Sequence, residues 1–229
     1  MDYNIFMFIN NYDFDETIKK EWSSPVMYDG ITNIERYKKV NPKILWILKE
    51  TNENGNGDDR YHREFHEDVT VYPYWKRTYK KIILTTYGII HNKSYDDMLD
   101  FSYDKTLKGN YKILNNVAFI NVNKTGGKAQ SQDWYISECY QKHKETLLTQ
   151  IDEIAPDVII NCSRVGEVFE DISRQYHLEK KVFTSPDKYT INYACNNKKL
   201  IIDYWHPNSR IKNDWYCTQI ITIYQDWEE

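Results

Sequence analysis

Apolar residues fall in short unbroken runs that alternate with longer segments of helical spacing. The runs ILWIL (44–48), VAFI (117–120) and VII (158–160) contain no polar residue, which is typical of strands buried on both faces of a sheet. Segments 74–90, 137–154 and 164–177 place apolar residues three and four positions apart, which predicts helices. The alternation predicts an α/β domain of three layers, with helices on both faces of a mostly parallel four-stranded central sheet.

The rest of the chain predicts further helices and strands and shows no boundary between domains. Segment 31–40 predicts a helix that ends before Asn41-Pro42, and segment 94–104 predicts another short one. KKVFTS (180–185) predicts a further strand, 191–205 a hairpin that turns at Asn196-Asn197, and 214–227 a final helix. No linker or repeat interrupts the sequence, so we expect one domain over 1–229, with 1–40 packed on it as a helical extension.

Composition narrows the classes of function. The net charge is −4, which counts against strong general affinity for DNA, although lysines and arginines cluster at 76–81, 124–128, 198–199 and 210–212. No apolar run is long enough to span a bilayer, and the N-terminus lacks the features of a signal peptide. The four cysteines form no C-x-x-C pair, so we expect free thiols in a cytoplasmic protein. A monomer is a separate expectation, and the sequence leaves the oligomeric state open.

Polar residues follow each predicted buried strand at once. Because the carboxyl ends of parallel strands meet at one edge of a sheet, we expect these residues to form one polar site. They are Lys49, Glu50, Thr51 and Asn52 after the first strand, Asn121, Asn123 and Lys124 after the second, Asn161 and Ser163 after the third, and His206, Asn208, Ser209 and Arg210 after the last.

Three local motifs suggest other chemistry, and each is incomplete. HREFH (62–66) places two histidines four apart, but its acid is not where H-E-x-x-H needs it, so we expect no metal. NGNGDDR lacks the third glycine of a dinucleotide fingerprint, and TGGKAQ lacks the first glycine of a phosphate loop. Asn161 and Ser163 are also common turn-forming residue types, so a structural role competes with binding at both positions.

The stretches KETNENG, VAFINVNK, PDVIINCSRVG and HPNSR, in order and spacing, resemble the motifs of the uracil-DNA glycosylase superfamily over residues 40 to 225. That superfamily has a first motif of the type G-Q-D-P-Y-H, a strand ending in a base-reading asparagine, an apolar strand before a helix and a late H-P-S-P loop. The first motif departs from the pattern here. Lys49 and Asn52 replace its glycine and proline, and Thr51 stands where some members hold a catalytic aspartate or asparagine.

The resemblance implies roles for particular residues. Glu50, Thr51 and His206 would be catalytic, with Glu50 stabilising an oxocarbenium-like sugar or orienting water and His206 donating a hydrogen bond to the departing base. Asn121 would read the base edge through its amide. The remaining base-binding residues would be Asn52, Tyr61, Phe65 and Ser163, and the DNA-binding residues would be Lys124, Lys128, Arg210, Asn208 and Ser209.

The function implied is a monofunctional DNA glycosylase that flips a modified or damaged base out of double-stranded DNA. It would need no cofactor, and the cysteines that iron–sulfur members carry near the first motif are absent. The superfamily includes bacterial enzymes that remove glucosylated hydroxymethylcytosine from phage DNA, and the altered first motif and the Asn-, Lys- and Tyr-rich composition favour such a role in antiviral defence. The alternatives are a repair glycosylase for uracil or another deaminated base, a non-catalytic nucleic-acid-binding module and a small nucleoside hydrolase. The base and the strand preference stay open.

Overall fold

The computed structural model describes residues 11–22, 26–51, 76–98, 111–127 and 131–228. This part of the chain contains six α-helices, seven strands and a 3-10 helix at Tyr111–Asn116. The helices are α1 (Asn11–Glu21), α2 (Ile34–Tyr37), α3 (Lys76–His91), α4 (Asp133–Ile154), α5 (Gly166–Gln175) and α6 (Asn213–Glu228). The strands are β1 (Gly30–Ile31), β2 (Ile44–Leu48), β3 (Val117–Asn121), β4 (Val158–Asn161), β5 (Glu179–Thr184), β6 (Thr190–Cys195) and β7 (Leu200–Asp203).

All seven strands form one mixed sheet in the order β1-β3-β2-β4-β7-β6-β5. The predicted α/β class is confirmed, because β3, β2, β4 and β7 pair in parallel at the centre. The predicted sheet of four strands is wrong in size. β1 adds an antiparallel pair at one edge, and the predicted hairpin together with β5 adds two more at the other.

Helices cover both faces of this sheet, as the sequence predicts for three layers. α3 and α6 pack on one face, where Trp46 of β2 joins their apolar residues in one buried cluster. α4 and α5 pack on the other face, where Leu45 and Ile47 of β2 belong to a second cluster. Alternate residues of β2 therefore enter opposite layers, which explains why its whole sequence is apolar.

Element boundaries differ from the sequence prediction, and the helix predicted over 31–40 spans only Ile34–Tyr37. α4 begins at Asp133 rather than at 137, which adds Trp134 and Tyr135 to its first turn. The N-terminal forty residues supply a strand as well as helices, because β1 pairs with Ala118 and Phe119 of β3. The chain ahead of β2 is therefore part of the sheet and not only a helical cover.

The strand order places the candidate site. The chain runs from β2 to β3 on one side, then crosses to β4 on the other side of β2, so the order reverses between β2 and β4. Ligands of open α/β sheets bind outside the carboxyl ends of the strands at such a reversal. We call residues 49–51, 122–127, 162–164 and 204–210, which follow the four parallel strands, the carboxyl rim. No helix in the described ranges is long and apolar enough to cross a membrane.

Candidate functional site

Glu50 leaves the end of β2 and is held by the segment that follows β3. Its Oε2 accepts a hydrogen bond of 2.9 Å from Nδ2 of Asn123. The Oδ1 of Asn123 accepts in turn from the backbone N–H of Thr125 at 3.1 Å and from its hydroxyl at 2.8 Å. Because both ends of the Asn123 amide are bonded, the amide has one orientation and presents its NH₂ group to the carboxylate.

Gly127 completes the enclosure of Glu50. Its N–H donates to the carbonyl of Thr51 at 2.8 Å, which ties the loop after β3 to the segment after β2. A Cβ at position 127 would stand 2.2 Å from Cδ of Glu50 and 2.5 Å from its Oε1. A side chain on residue 127 therefore does not fit while Glu50 keeps this position.

The start of α4 lies beside this acid. Lys49 donates from Nζ to Oδ1 of Asp133 at 2.5 Å. Neighbouring Cys139 and then burial raise the pKa of Tyr135, and the charge of Glu50 adds a smaller effect of the same sign. Trp134 is 62% exposed and Tyr135 is 40% exposed, and their rings meet edge to face at 6.0 Å. The first turn of α4, to which Lys49 is bonded through Asp133, therefore carries an open aromatic surface.

His206 follows β7 and is held as a neutral hydrogen-bond donor. Its Nδ1 accepts from the backbone N–H of Asn208 at 3.2 Å, which assigns the proton of the neutral ring to Nε2. Burial, together with smaller effects from the charges of Lys49 and Lys81, lowers the pKa of His206 to about 4. The imidazole is therefore neutral near pH 7, with an N–H at Nε2.

A buried lysine from α3 anchors the loop that carries His206. Nζ of Lys81 donates to the carbonyl of Ser209 at 2.7 Å and lies 4.7 Å from the centre of the Tyr216 ring. The N–H of Ser209 donates to the carbonyl of His206 at 2.8 Å, which closes a turn. Within this turn Asn208 and Arg210 are exposed, as contact with DNA would require.

Lys124 corrects one prediction. Its side chain is fully buried, and Nζ donates to Oδ1 of Asp29 at 2.6 Å and to the carbonyl of Asn121 at 3.3 Å. Burial lowers the pKa of the ammonium, and Asp29 opposes that effect. The expectation that Lys124 contacts a DNA backbone is wrong for this structure, because the ammonium is turned inward to a carboxylate.

Asn121 and Thr51 occupy neighbouring strand ends and each keeps an unpaired polar atom. The backbone N–H of Asn121 donates to Oδ2 of Asp29 at 2.7 Å, and its Nδ2 lies 3.5 Å from the same oxygen. Among the described residues, Oδ1 of Asn121 and Oγ1 of Thr51 are buried and have no hydrogen-bond partner. Eight buried side-chain polar atoms of the described residues lack a partner, and these two are the ones at the ends of β2 and β3, so they are the candidates to meet a ligand.

Ser163 corrects a second prediction. Its hydroxyl donates to Oδ1 of Asn161 at 2.6 Å and accepts from the N–H of Val165 at 3.2 Å, so unlike Oδ1 of Asn121 it already has partners within the turn. Nδ2 of Asn161 donates to Oδ1 of Asp203 at 2.8 Å. Burial raises the pKa of Asp203 to about 6, and the hydrogen bond from Asn161 opposes that shift. Ser163 therefore shapes the turn before α5 and does not face a base.

Four predicted site residues lie outside the described residues: Asn52, Tyr61, Phe65 and Lys128. The HREFH segment lies there too. Within the described ranges, no three or more His, Cys, Asp or Glu side chains come close enough to hold a metal ion. Cys139, Cys162, Cys195 and Cys217 are all free thiols.

The structure adds Asp29, Lys81 and Gly127 to the residues that build the site, and it shows that Asn123, already expected at the end of the second strand, holds Glu50. Asn123 and Gly127 had a local sequence signal. Asn123 stands in the FINVNK stretch, and Gly127 stands in TGGKAQ. TGGKAQ lacks one glycine of a phosphate loop, but its two glycines still indicate a close approach of the backbone. No known protein family matches this chain in sequence, and no curated protein sequence matches it either.

Proposed function

We propose that this protein is a DNA glycosylase that hydrolyses the N-glycosidic bond of a base flipped out of the duplex. One observation carries the proposal: a fixed carboxylate, Glu50, and a neutral imidazole donor, His206, stand on strand ends of one carboxyl rim. Glu50 follows β2 and His206 follows β7, with β4 between them, and the two groups fit a reaction in which positive charge develops on a sugar and negative charge on a leaving group. The motif resemblance supports the same assignment.

In the proposed reaction, water attacks C1′ of the nucleotide and the bond from C1′ to the base nitrogen breaks. The base leaves with the bonding electron pair, and the attacking water gives up one proton. In this proposal Glu50 stabilises the cationic sugar and accepts that proton, and the hydrogen bond from Asn123 and the close approach of Gly127 support the role because they hold the carboxylate. The sugar then carries a hydroxyl at C1′, and the chain is left with an abasic site.

His206 would stabilise the departing base without transferring its proton. An N–H donor aimed at developing negative charge contributes roughly 10²- to 10³-fold to a rate. With a pKa of about 4, the ring is neutral across the physiological range and keeps its Nε2 proton. A neutral donor suits a base that leaves as an anion, since no charged ring has to be desolvated first.

The base itself is proposed from the sequence. The replaced residues at Lys49, Thr51 and Asn52 favour a modified base over uracil, and a glucosylated hydroxymethylcytosine of phage DNA is the specific candidate. Asn208 and Arg210, both exposed on the loop of His206, are the proposed contacts with the DNA strand. Thr51 is proposed to meet the substrate through its unpaired hydroxyl.

The test incubates the purified chain with duplexes that contain uracil, hypoxanthine or glucosylated hydroxymethylcytosine, and scores alkali-labile abasic sites. We expect release of one base, and a loss of roughly 10²-fold or more in Glu50→Gln and in His206→Ala. Glu145→Gln is the matched control, because Glu145 is an exposed acid on α4 outside the carboxyl rim.

Each alternative predicts a different result. Release of uracil or hypoxanthine alone would assign a repair enzyme. Cleavage of free nucleosides but not of duplexes would assign a nucleoside hydrolase. Binding of DNA that weakens steeply with salt, with no base released from any substrate, would leave a binding module and refute the proposed catalysis.

A further inference from the structure

Asp29 lies in the segment ahead of β2, and its buried carboxylate is contacted by Asn121 and Lys124 at the end of β3. Its Oδ2 accepts from the backbone N–H of Asn121 at 2.7 Å and lies 3.5 Å from Nδ2 of the same residue. Its Oδ1 accepts from Nζ of Lys124 at 2.6 Å and from Nε2 of Gln150 at 3.0 Å. All four nitrogen atoms around this carboxylate are donors.

We infer that Asp29 fixes the polarity of the Asn121 amide, so that the carbonyl Oδ1 is the atom this residue presents to the substrate. The inference rests on the proposed function for the identity of the ligand, but its structural part stands alone. A carboxylate oxygen only accepts hydrogen bonds, so the side of the Asn121 amide that faces Asp29 must be its NH₂ group. The carbonyl Oδ1 is then the atom left for a ligand.

The surroundings oppose reversal of this amide. Turning it over would bring Oδ1 against Oδ2 of Asp29, two acceptors with no proton between them. Asp29 cannot move away, because Lys124 and Gln150 hold its other oxygen and the backbone of Asn121 holds the first. Asp29 and Lys124 are fully or almost fully buried, so water does not weaken these bonds.

The atom left over is the unpaired one. Oδ1 of Asn121 is buried and has no hydrogen-bond partner among the described residues. The same is true of Oγ1 of Thr51, at the end of the adjacent strand. An unpaired buried acceptor is unfavourable, and a ligand N–H that reaches it removes that cost. The free protein is therefore arranged to gain from a donor at this point and to gain nothing from an acceptor.

The consequence is a rule for the base. A base is accepted when the edge that faces β3 carries an N–H, such as the ring N–H of a uracil-type base or the amino group of a cytosine-type base. A base with only acceptors on that edge meets Oδ1 with a lone pair and binds less tightly. Asp29 is thus a specificity-determining residue that touches Asn121 and not the base.

The structural part is tested by NMR on the free, ¹⁵N-labelled protein. We expect the side-chain NH₂ of Asn121 to exchange roughly 10- to 100-fold more slowly than that of exposed Asn208, because it is buried and faces a buried carboxylate. Asp29→Asn should shift the Asn121 signals, and Gln150→Met, which removes one donor from Asp29 but keeps its carboxylate, should shift them less. Exchange as fast as at Asn208, or an Asn121 signal that ignores Asp29→Asn, overturns the inference even if every variant is folded.

The specificity part is tested by binding of duplexes whose target nucleotide has a 2′-fluoroarabino sugar, which resists cleavage. We expect the cytosine-type base to bind roughly 10- to 100-fold more tightly than pyrimidin-2-one, which lacks its amino group. Asp29→Asn, which can offer its own NH₂ to Oδ1 of Asn121, should reduce or reverse that ratio. Equal binding of the two duplexes by the wild-type protein, as expected if Oδ1 holds only a buried water, overturns the rule.

The experiments can refute the glycosylase proposal and the role of Asp29 independently of each other. A protected Asn121 amide in a protein that releases no base from any duplex would refute the glycosylase and keep the role of Asp29. Base release with equal affinity for donor-bearing and donor-free bases would keep the glycosylase and refute the role of Asp29.

Discussion

The side chain of Glu50 lies against the backbone of Gly127, with its Cδ only 2.2 Å from the point where a Cβ of residue 127 would stand. The contact joins the exits of two adjacent parallel strands, β2 and β3. Glu50 can take this position only because residue 127 is glycine and has no Cβ. The smallest possible substitution at position 127 is therefore a direct test of the site.

Gly127→Ala should reduce the rate of base release roughly 10²-fold while the protein stays folded, because a displacement of about 1 Å of a catalytic group has an effect of that size. The clashing atoms belong to a flexible side chain, so Glu50 moves and the backbone does not. The measurement is single-turnover base release, beside a thermal melt. Gly166→Ala is the control, since a Cβ there meets nothing within 4 Å. A full rate in Gly127→Ala would show that Glu50 has no fixed catalytic position.

Asn123 holds the same carboxylate by a hydrogen bond, and its removal should act on the chemical step. Asn123→Ala leaves Oε2 of Glu50 without its donor, so we expect kcat to fall roughly 10- to 100-fold with little change in KM. Thr125→Ser keeps the hydroxyl that orients Asn123 and should retain most of the activity. Steady-state kinetics on the preferred duplex separates the two parameters. A change confined to KM would make Asn123 a binding residue instead.

Lys81 connects α3 to the loop of His206, and this connection can be followed through the imidazole. Lys81→Met removes both the bond to the Ser209 carbonyl and a positive charge near the ring. We expect the pKa of His206 to rise above about 4 and kcat/KM to fall. The histidine ring protons report the pKa in an NMR titration, with Lys80→Met, the adjacent position in α3, as the control. An unchanged pKa of His206 in Lys81→Met would show that Lys81 does not act on the imidazole.

The features that sequence predicted well are those with a local pattern. Trp46 and its neighbours in β2 are apolar without interruption because both faces of the strand are covered, and that pattern is visible in the five residues alone. The same holds for β3 and β4, so the parallel centre of the sheet and the polar residues at its strand ends were predictable. β1 has two residues and no pattern, and its pairing with β3 could not be predicted.

The role of Lys124 was not predictable for a related reason. A lysine that follows a strand is usually exposed, because burying an ammonium is unfavourable unless it is paired. Its partner Asp29 lies 95 positions earlier in the chain, and nothing in either neighbourhood points to the other. Ser163 differs, since its partners Asn161 and Val165 are adjacent in sequence and turn formation was one of the two readings of that stretch.

Two titrating groups at the strand ends should oppose each other in the pH dependence of stability. Burial lowers the pKa of His206 to about 4, so between about pH 4 and 6.5 the unfolded chain binds a proton that the folded protein does not. Over that range His206 makes the free energy of unfolding rise with pH, by about 3 kcal/mol at most. Burial raises the pKa of Asp203 to about 6, so between about pH 4 and 6 the folded protein holds a proton that the unfolded chain has lost. Asp203 therefore makes the free energy of unfolding fall with pH, again by about 3 kcal/mol at most.

These opposite slopes nearly cancel in the wild-type protein, and single variants should expose each one. Compared with wild type, His206→Gln should lose stability as pH rises from 4 to 6.5, because only the effect of Asp203 remains. Asp203→Asn, whose side-chain oxygen can still accept from Asn161, should gain stability over the same range. Urea unfolding at several pH values measures both differences, and other carboxylates cancel because all three proteins share them. Parallel stability curves for the three proteins would show that neither group is buried as the structure has it.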